Sequence, residues 1–218
     1  MAGGVKILLI SPDVAGVDAV GEVRRVQQFH DVTALYGRVT PEDVYRSVQE
    51  KAYDVLHFAT HGGPEGIRLS GGAVLDAEDI GQFVRLRETK GVFFSACQTG
   101  RLASYAVRHG AQWAVSSEVD LPDAEAWKLA AAFYAHQRNG NSKDFVGAYV
   151  LADSGDGDYA LHVNPLYLQQ LQSAAALVAA RPHDTLVISR QLAVTFALGV
   201  LGASAALSAL INLAAGRW

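Results

Sequence analysis

The stretch Tyr53-Asp54-Val55-Leu56-His57-Phe58-Ala59-Thr60-His61-Gly62-Gly63-Pro64 decides the fold class. Its centre, Asp54–Ala59 (DVLHFA), is a short apolar run that Gly-Gly-Pro brings to a stop. A run of that length without polar alternation reads as a strand buried on both faces. The signature recurs at Val5–Ile10 (VKILLI), Val32–Tyr36, Gly91–Ala96 (GVFFSA) and Ala111–Ser116. Helical patterns fill the intervals. Val17–Phe29 puts Val20, Val23, Val26 and Phe29 on one face. Thr40-Pro41-Glu42-Asp43 is a helix start, with a hydroxyl cap, proline at the first position and acids in the first turn. Asp76 caps a helix to about Arg87, and another runs from Gln98-Thr99-Gly100 to about Arg108. Pro122–Arg138 is a long helix stopped by Asn139-Gly140, and Ser142–Leu151 is helical. Strands alternating with helices specify an α/β domain, a mostly parallel sheet flanked by helices. Ile67–Leu69 and Ala73–Leu75, joined through Ser70-Gly71-Gly72, form a small hairpin, and Tyr159–Val163 is a last strand.

With 218 residues, 50% hydrophobic and 18% charged, the chain fits one globular domain and a modest appendage. Eighteen Lys+Arg against 22 Asp+Glu leave no basic excess for a phosphate backbone, so nucleic acid is excluded as the main partner. The single cysteine, Cys97, cannot form an internal disulfide, and no Cys/His set has zinc spacing, so neither metal nor other cofactor is expected. Asp153, Asp156 and Asp158, with Gly155 and Gly157, fail the spacing of a calcium hand and read as an acidic loop.

The appendage is apolar. Gln191–Gly216 contains no Asp, Glu, Lys, Arg or His over 26 residues, and as a helix would reach about 39 Å, enough for a ~30 Å hydrocarbon core. The competing reading is a buried core helix. Apolar residues on all sides set the run apart from an interfacial helix. The expected division is therefore a domain over 1–163, a linker helix over 164–185 and a transmembrane helix over 186–216. Met1-Ala2-Gly3-Gly4 opens no signal peptide, which makes the span a tail anchor. Arg181 and Arg190 before it, against Arg217 after it, keep the domain cytoplasmic. Gly199/Ala203 and Gly202/Ala206 give the small-xxx-small spacing that permits helix pairing and self-association.

Sites in open α/β sheets form at the carboxyl ends of strands, and two such ends carry reactive groups: His61 and Cys97. Backbone N–H groups at the following helix start favour a thiolate at Cys97, and His61 can take its proton as general base. The N–H groups of Gly62 and Cys97 are placed to form an oxyanion hole. A lone buried cysteine is more often an inert small hydrophobe, and a loop histidine a packing residue. The pair, each followed by a glycine-bearing turn, reverses those odds.

His57-Phe58-Ala59-Thr60-His61-Gly62 followed by Phe94-Ser95-Ala96-Cys97-Gln98-Thr99-Gly100 closely resembles the CHAT-domain family of caspase-like cysteine peptidases, over roughly residues 5–163. The resemblance implies a caspase-like fold with His61 as base and Cys97 as nucleophile. The first histidine of that motif is not catalytic, and strand alternation turns His57 into packing. In the wider clan the segment matching Ser116–Leu121 lines the pocket for the residue before the scissile bond. That assigns Ser117, Glu118 and Asp120 to substrate binding, with Ser95, and the acids suit a Lys or Arg there. The competing reading makes Glu118 and Asp120 solvated loop acids. Metacaspase-like enzymes carry Asp where Ser95 stands, and the tryptophan many CHAT proteins have after the next strand is replaced by Trp113 inside it.

The expected function is a membrane-tethered cysteine endopeptidase that cleaves a protein partner, in the manner of family members serving bacterial defence or programmed cell death. The alternatives are a catalytically silent, membrane-anchored scaffold or regulator, and another acyl transfer by the same dyad, as in thioesterases.

Overall fold

The computed structural model describes residues 5–16, 19–120, 123–139, 145–152 and 159–170. Its frame is a six-stranded sheet of β1 (Lys6–Pro12), β2 (Asp31–Gly37), β3 (Val55–Ala59), β7 (Gly91–Ser95), β8 (Trp113–Ser117) and β9 (Tyr159–Val163). Their order is β2-β1-β3-β7-β8-β9. The first five run parallel and β9 pairs antiparallel with β8 at the edge.

Successive side chains of a strand point to opposite faces, so the unbroken apolar runs supply two cores at once. On one face Leu8, Ile10, Leu56, Phe58, Val92, Phe94 and Ala114 pack against α2 (Pro41–Glu50), α3 (Ala77–Arg87) and α4 (Gly100–Arg108). On the other, Ile7, Leu9, Val55, Ala59, Phe93, Trp113 and Val115 pack against α1 (Ala19–Gln27), α5 (Asp123–Asn139) and α6 (Phe145–Ala152). The expected helix starts are in place. Thr40 caps α2 through a reciprocal pair with Asp43, and Asp76 caps α3 through one with Asp79.

Two local features differ from the sequence reading. The hairpin is a three-stranded antiparallel sheet of β4 (Gly62–Gly63), β5 (Gly66–Arg68) and β6 (Val74–Leu75), with a short 3-10 turn at Ser70–Gly72. Two glycines carry no side-chain pattern, so β4 has no signal in the sequence. β1 also continues to Pro12, because β2 follows alongside it to Gly37.

The strand order reverses between β1 and β3: β2 lies on one side of β1, and all later strands on the other. The crevice at the carboxyl ends of such a pair is where open α/β sheets hold ligands. Here it is flanked by the loop after β1, residues 13–16, and by His61 after β3. Residues 165–170 are helical. No helix among the described residues is long and apolar enough to cross a membrane. The expected span 186–216, most of the linker helix 164–185 and the loop 153–158 lie outside them.

Candidate active site

β3 and β7 pair in parallel register through Ala59 and Ser95, and the Thr60 N–H donates to the Ser95 carbonyl at 3.3 Å. His61 and Cys97 each stand two residues beyond that last pair. Equal steps from paired positions bring both side chains to one rim of the sheet. Gly62 proves the closeness: a Cβ there would stand 2.4 Å from the Cys97 carbonyl oxygen, 2.8 Å from Thr99 Cγ2 and 3.1 Å from Ala96 Cβ. Only a residue without a side chain fits between the two turns.

His61 is half-buried, and its Nε2 lies 2.7 Å from the Ala15 carbonyl oxygen. A carbonyl can only accept, so Nε2 carries the proton and Nδ1 of the neutral ring keeps its lone pair. The orienting group is thus main chain, presented by a loop whose Gly16 sits at φ +89° with its open side 3.8 Å from Nε2. A backbone carbonyl has no sequence signature, which is why Ala15 escapes a reading of residue types.

Cys97 is half-buried in a tight turn that puts Gln98 in the left-handed region at φ 51°. Thr99 holds the turn: its hydroxyl donates to the Ala96 carbonyl (3.1 Å), its N–H donates to the Ser117 carbonyl (2.8 Å), and it accepts from Ser117 N–H at 3.3 Å. The Arg68 N–H donates to the His61 carbonyl at 2.9 Å, making that pair a hydrogen-bonded one. Gly62, opposite Ile67, is therefore the non-bonded pair of the ladder, and its N–H points away from β5.

The predicted substrate-binding residues divide. Glu118 and Asp120 are exposed on the Cys97 side of the rim. Asp120 Oδ1 accepts from Gln98 Nε2 at 2.8 Å, directly beside the cysteine. The Glu118 carboxylate lies over Gly100, where even a methyl group would collide with it, and so faces the first turn of α4. The positive end of that helix is thus shared between the thiol turn and a carboxylate. Ser117 is buried and spends its hydroxyl on Val119, donating to its carbonyl at 2.9 Å and accepting from its N–H at 3.1 Å. Ser95 lies beneath the rim, and its buried hydroxyl has no hydrogen-bond partner among the described residues.

Two further histidines stand on the sheet. His162 of β9 stands between Ser116 Oγ (2.9 Å from Nε2) and Ser104 Oγ (3.2 Å from Nδ1), with the Glu118 carboxylate 3.8 Å away. Burial pushes its pKa down, and the Glu118 charge opposes this only in part. His57 is fully buried on the α1 and α5 face, between Glu22 and the Tyr134 hydroxyl. No cluster of three or more His, Cys, Asp or Glu among the described residues could hold a metal ion.

The profile of the CHAT domain matches residues 14–145, more than half of the chain. No curated protein matches. Among solved structures, the Arg-specific cysteine proteinase gingipain R aligns with a TM-score of 0.52 at 14% identity, over 73% of this chain and 46% of that one. The likeness is one of fold, and this chain spans less than half of the gingipain chain. A Bacillus subtilis pyridoxal kinase (TM-score 0.39, 12% identity, 69% of this chain and 89% of that one) is more distant. So is the Salmonella typhimurium response regulator RcsB (0.39, 12%, 96% and 98%).

Proposed function

From the premise that the chain belongs to the CHAT-domain family, with a caspase-like fold, we propose that it is a membrane-tethered cysteine endopeptidase working through His61 and Cys97. The observation that carries this reading is the common rim. Parallel strands in register end in an imidazole and a thiol, with Gly62 wedged against the Cys97 carbonyl.

In the proposed reaction His61 Nδ1 takes the Cys97 thiol proton while Nε2–H stays on the Ala15 carbonyl. The thiolate attacks the scissile carbonyl carbon, and the oxyanion is received by the N–H groups of Gly62 and Cys97. The imidazolium returns its proton to the leaving amine. Water, deprotonated by the same nitrogen, then hydrolyses the thioester and releases Cys97.

Glu118 and Asp120, both exposed beside the thiol turn, support a Lys or Arg before the scissile bond. Ser95 and Ser117 would shape that pocket from below. The charge-free run Gln191–Gly216 would hold the domain at a membrane's cytoplasmic face, beside a partner protein to be cut in a defence or cell-death response.

The test is labelling of the full chain, in detergent, with a thiol-directed peptide probe carrying Lys or Arg at its first position. Labelling of the parent, lost in Cys97→Ala and His61→Ala, supports the peptidase. Equal absence of labelling in all three favours a silent scaffold. Glu118→Gln with Asp120→Asn should remove the preference for a basic over a neutral probe, and an unchanged preference would reject the acidic pocket.

A further inference from the structure

We propose that Glu22, His57 and Tyr134 are positioning residues for the dyad. They form a buried clamp that fixes α1 on β3 and so sets the Ala15 carbonyl against which the His61 ring is oriented. The inference rests on the dyad reading above and adds the part of the chain that holds it in place.

His57 in β3 and His61 just past its end are four residues apart, and both reach the chain around the start of α1. One segment of chain meets them both. Ala15, in the loop before α1, takes its contact from His61 Nε2 at 2.7 Å. Glu22, in the first turn of α1, takes its contact from His57 Nε2 at 2.9 Å. The two contacts are separated by about 13 Å of strand. Neither Ala15 nor Glu22 can shift along β3 without breaking its contact.

The His57 ring is itself immobilised. Its Nδ1 lies 2.9 Å from the Tyr134 hydroxyl of α5, and the ring stacks on Phe93 and Tyr134 at centroid distances of 4.9 and 5.6 Å. Burial and the nearby Glu22 charge push the Tyr134 pKa well above its ordinary value, so the phenol keeps its proton; with Nε2 donating to the Glu22 carboxylate, Nδ1 of a neutral ring is left to accept from that phenol. The Nε2–H then points at the carboxylate. Further along, the Arg25 guanidinium stacks 4.0 Å over Trp127, tying α1 to α5, and His30 Nε2, in the turn after α1, lies 3.2 Å from the Tyr134 carbonyl oxygen.

Packing alone does not call for such a group. The opposite face of the sheet is sealed by aliphatic and aromatic side chains, and a buried polar pair is weak evidence of stabilisation, since apolar replacements are often neutral or better. What the polar contacts add is direction. A displacement of about 1 Å at a catalytic group can cost on the order of a hundredfold in rate, which gives a directional clamp something to protect.

The experiment reads the rate of Cys97 alkylation by iodoacetamide against pH in the full chain, where it is the sole cysteine, beside thermal melting. His61→Ala should abolish the part of the profile that reports the imidazole. Glu22→Ala should slow alkylation at neutral pH about tenfold and displace the profile. Glu22→Gln, which still accepts from Nε2–H, should recover to within about threefold of the parent. Val48→Ala, a cavity on the opposite face, should lower the melting temperature and leave the profile in place. A parental profile in Glu22→Ala, with an altered one in His61→Ala, overturns the clamp and leaves the dyad standing. A parental profile in His61→Ala overturns both. Should Glu22→Ala fail to fold, Tyr134→Phe, which removes a single hydroxyl, decides the matter: an unmoved profile overturns the clamp.

Discussion

His57 and His61 lie four residues apart, and the chain gives them opposite surroundings. The first is sealed, with a carboxylate on one ring nitrogen and a phenol on the other. The second is half-buried, with one nitrogen held by a main-chain carbonyl and the other left with its lone pair. The same imidazole is thus a fixed wedge in the core and, in the proposed reaction, a proton acceptor at the rim. What separates the two roles is whether the strand has ended.

The largest expected effects test that division directly. His57→Ala leaves the Glu22 carboxylate buried without its partner and opens a cavity, at a cost of roughly 3–5 kcal/mol of stability. His61→Ala removes a half-exposed ring and should leave the urea midpoint nearly unchanged while lowering kcat/KM on a peptide substrate by roughly 10²–10⁴. Equilibrium unfolding and peptide turnover on the two variants decide it. Equal destabilisation by both would erase the contrast.

Next comes a pair of glycines. Gly62→Ala places a methyl 2.4 Å from the Cys97 carbonyl, where main chain has to give, so a loss of about 1–3 kcal/mol is expected, with displacement of the thiol turn. Gly63→Ala meets nothing within 4 Å and should stay within about ±0.5 kcal/mol. Similar melting curves for the two would mean that the contact between the turns is not tight in solution.

The sequence makes one half of this comparison readable and hides the other. Val5–Ile10 and Gly91–Ala96 announce buried strands because their apolar runs serve two cores at once, and the equal spacing of Ala59/Ser95 and His61/Cys97 follows once those strands are neighbours. The turn after β3 is readable through Gly62 for the same reason. The partners are not. Ala15 acts through its carbonyl, which every residue possesses. Glu22 sits among Val20, Val23 and Arg24 in an amphipathic helix, where an acid normally marks the solvated side, and its partner lies 35 residues away. Ser117 reads as a pocket residue because its position is right, yet its hydroxyl is committed to Val119 two residues on. Side-chain type and position along the chain are visible in a sequence; which group a buried polar atom is turned toward is not.

A third histidine extends the comparison and carries the smallest expected effect. His162 is neither sealed nor at the thiol rim: both nitrogens face serine hydroxyls, and its side chain is 22% exposed. Burial holds its folded pKa below the ordinary value despite the Glu118 charge. Between that lowered pKa and about 6.5 the unfolded chain therefore binds more protons than the folded one, and stability rises with pH across this window. Above it the contribution is constant and complete. Acidification from pH 7.5 to 5.5 should thus cost the domain up to roughly 1 kcal/mol through this residue alone. His162→Gln, which can still bond Ser116 but does not titrate, should lose correspondingly less between those two pH values. Urea midpoints of the parent and the variant at both pH values measure the difference. A variant that weakens as much as the parent would show that β9 protects His162 no better than water does.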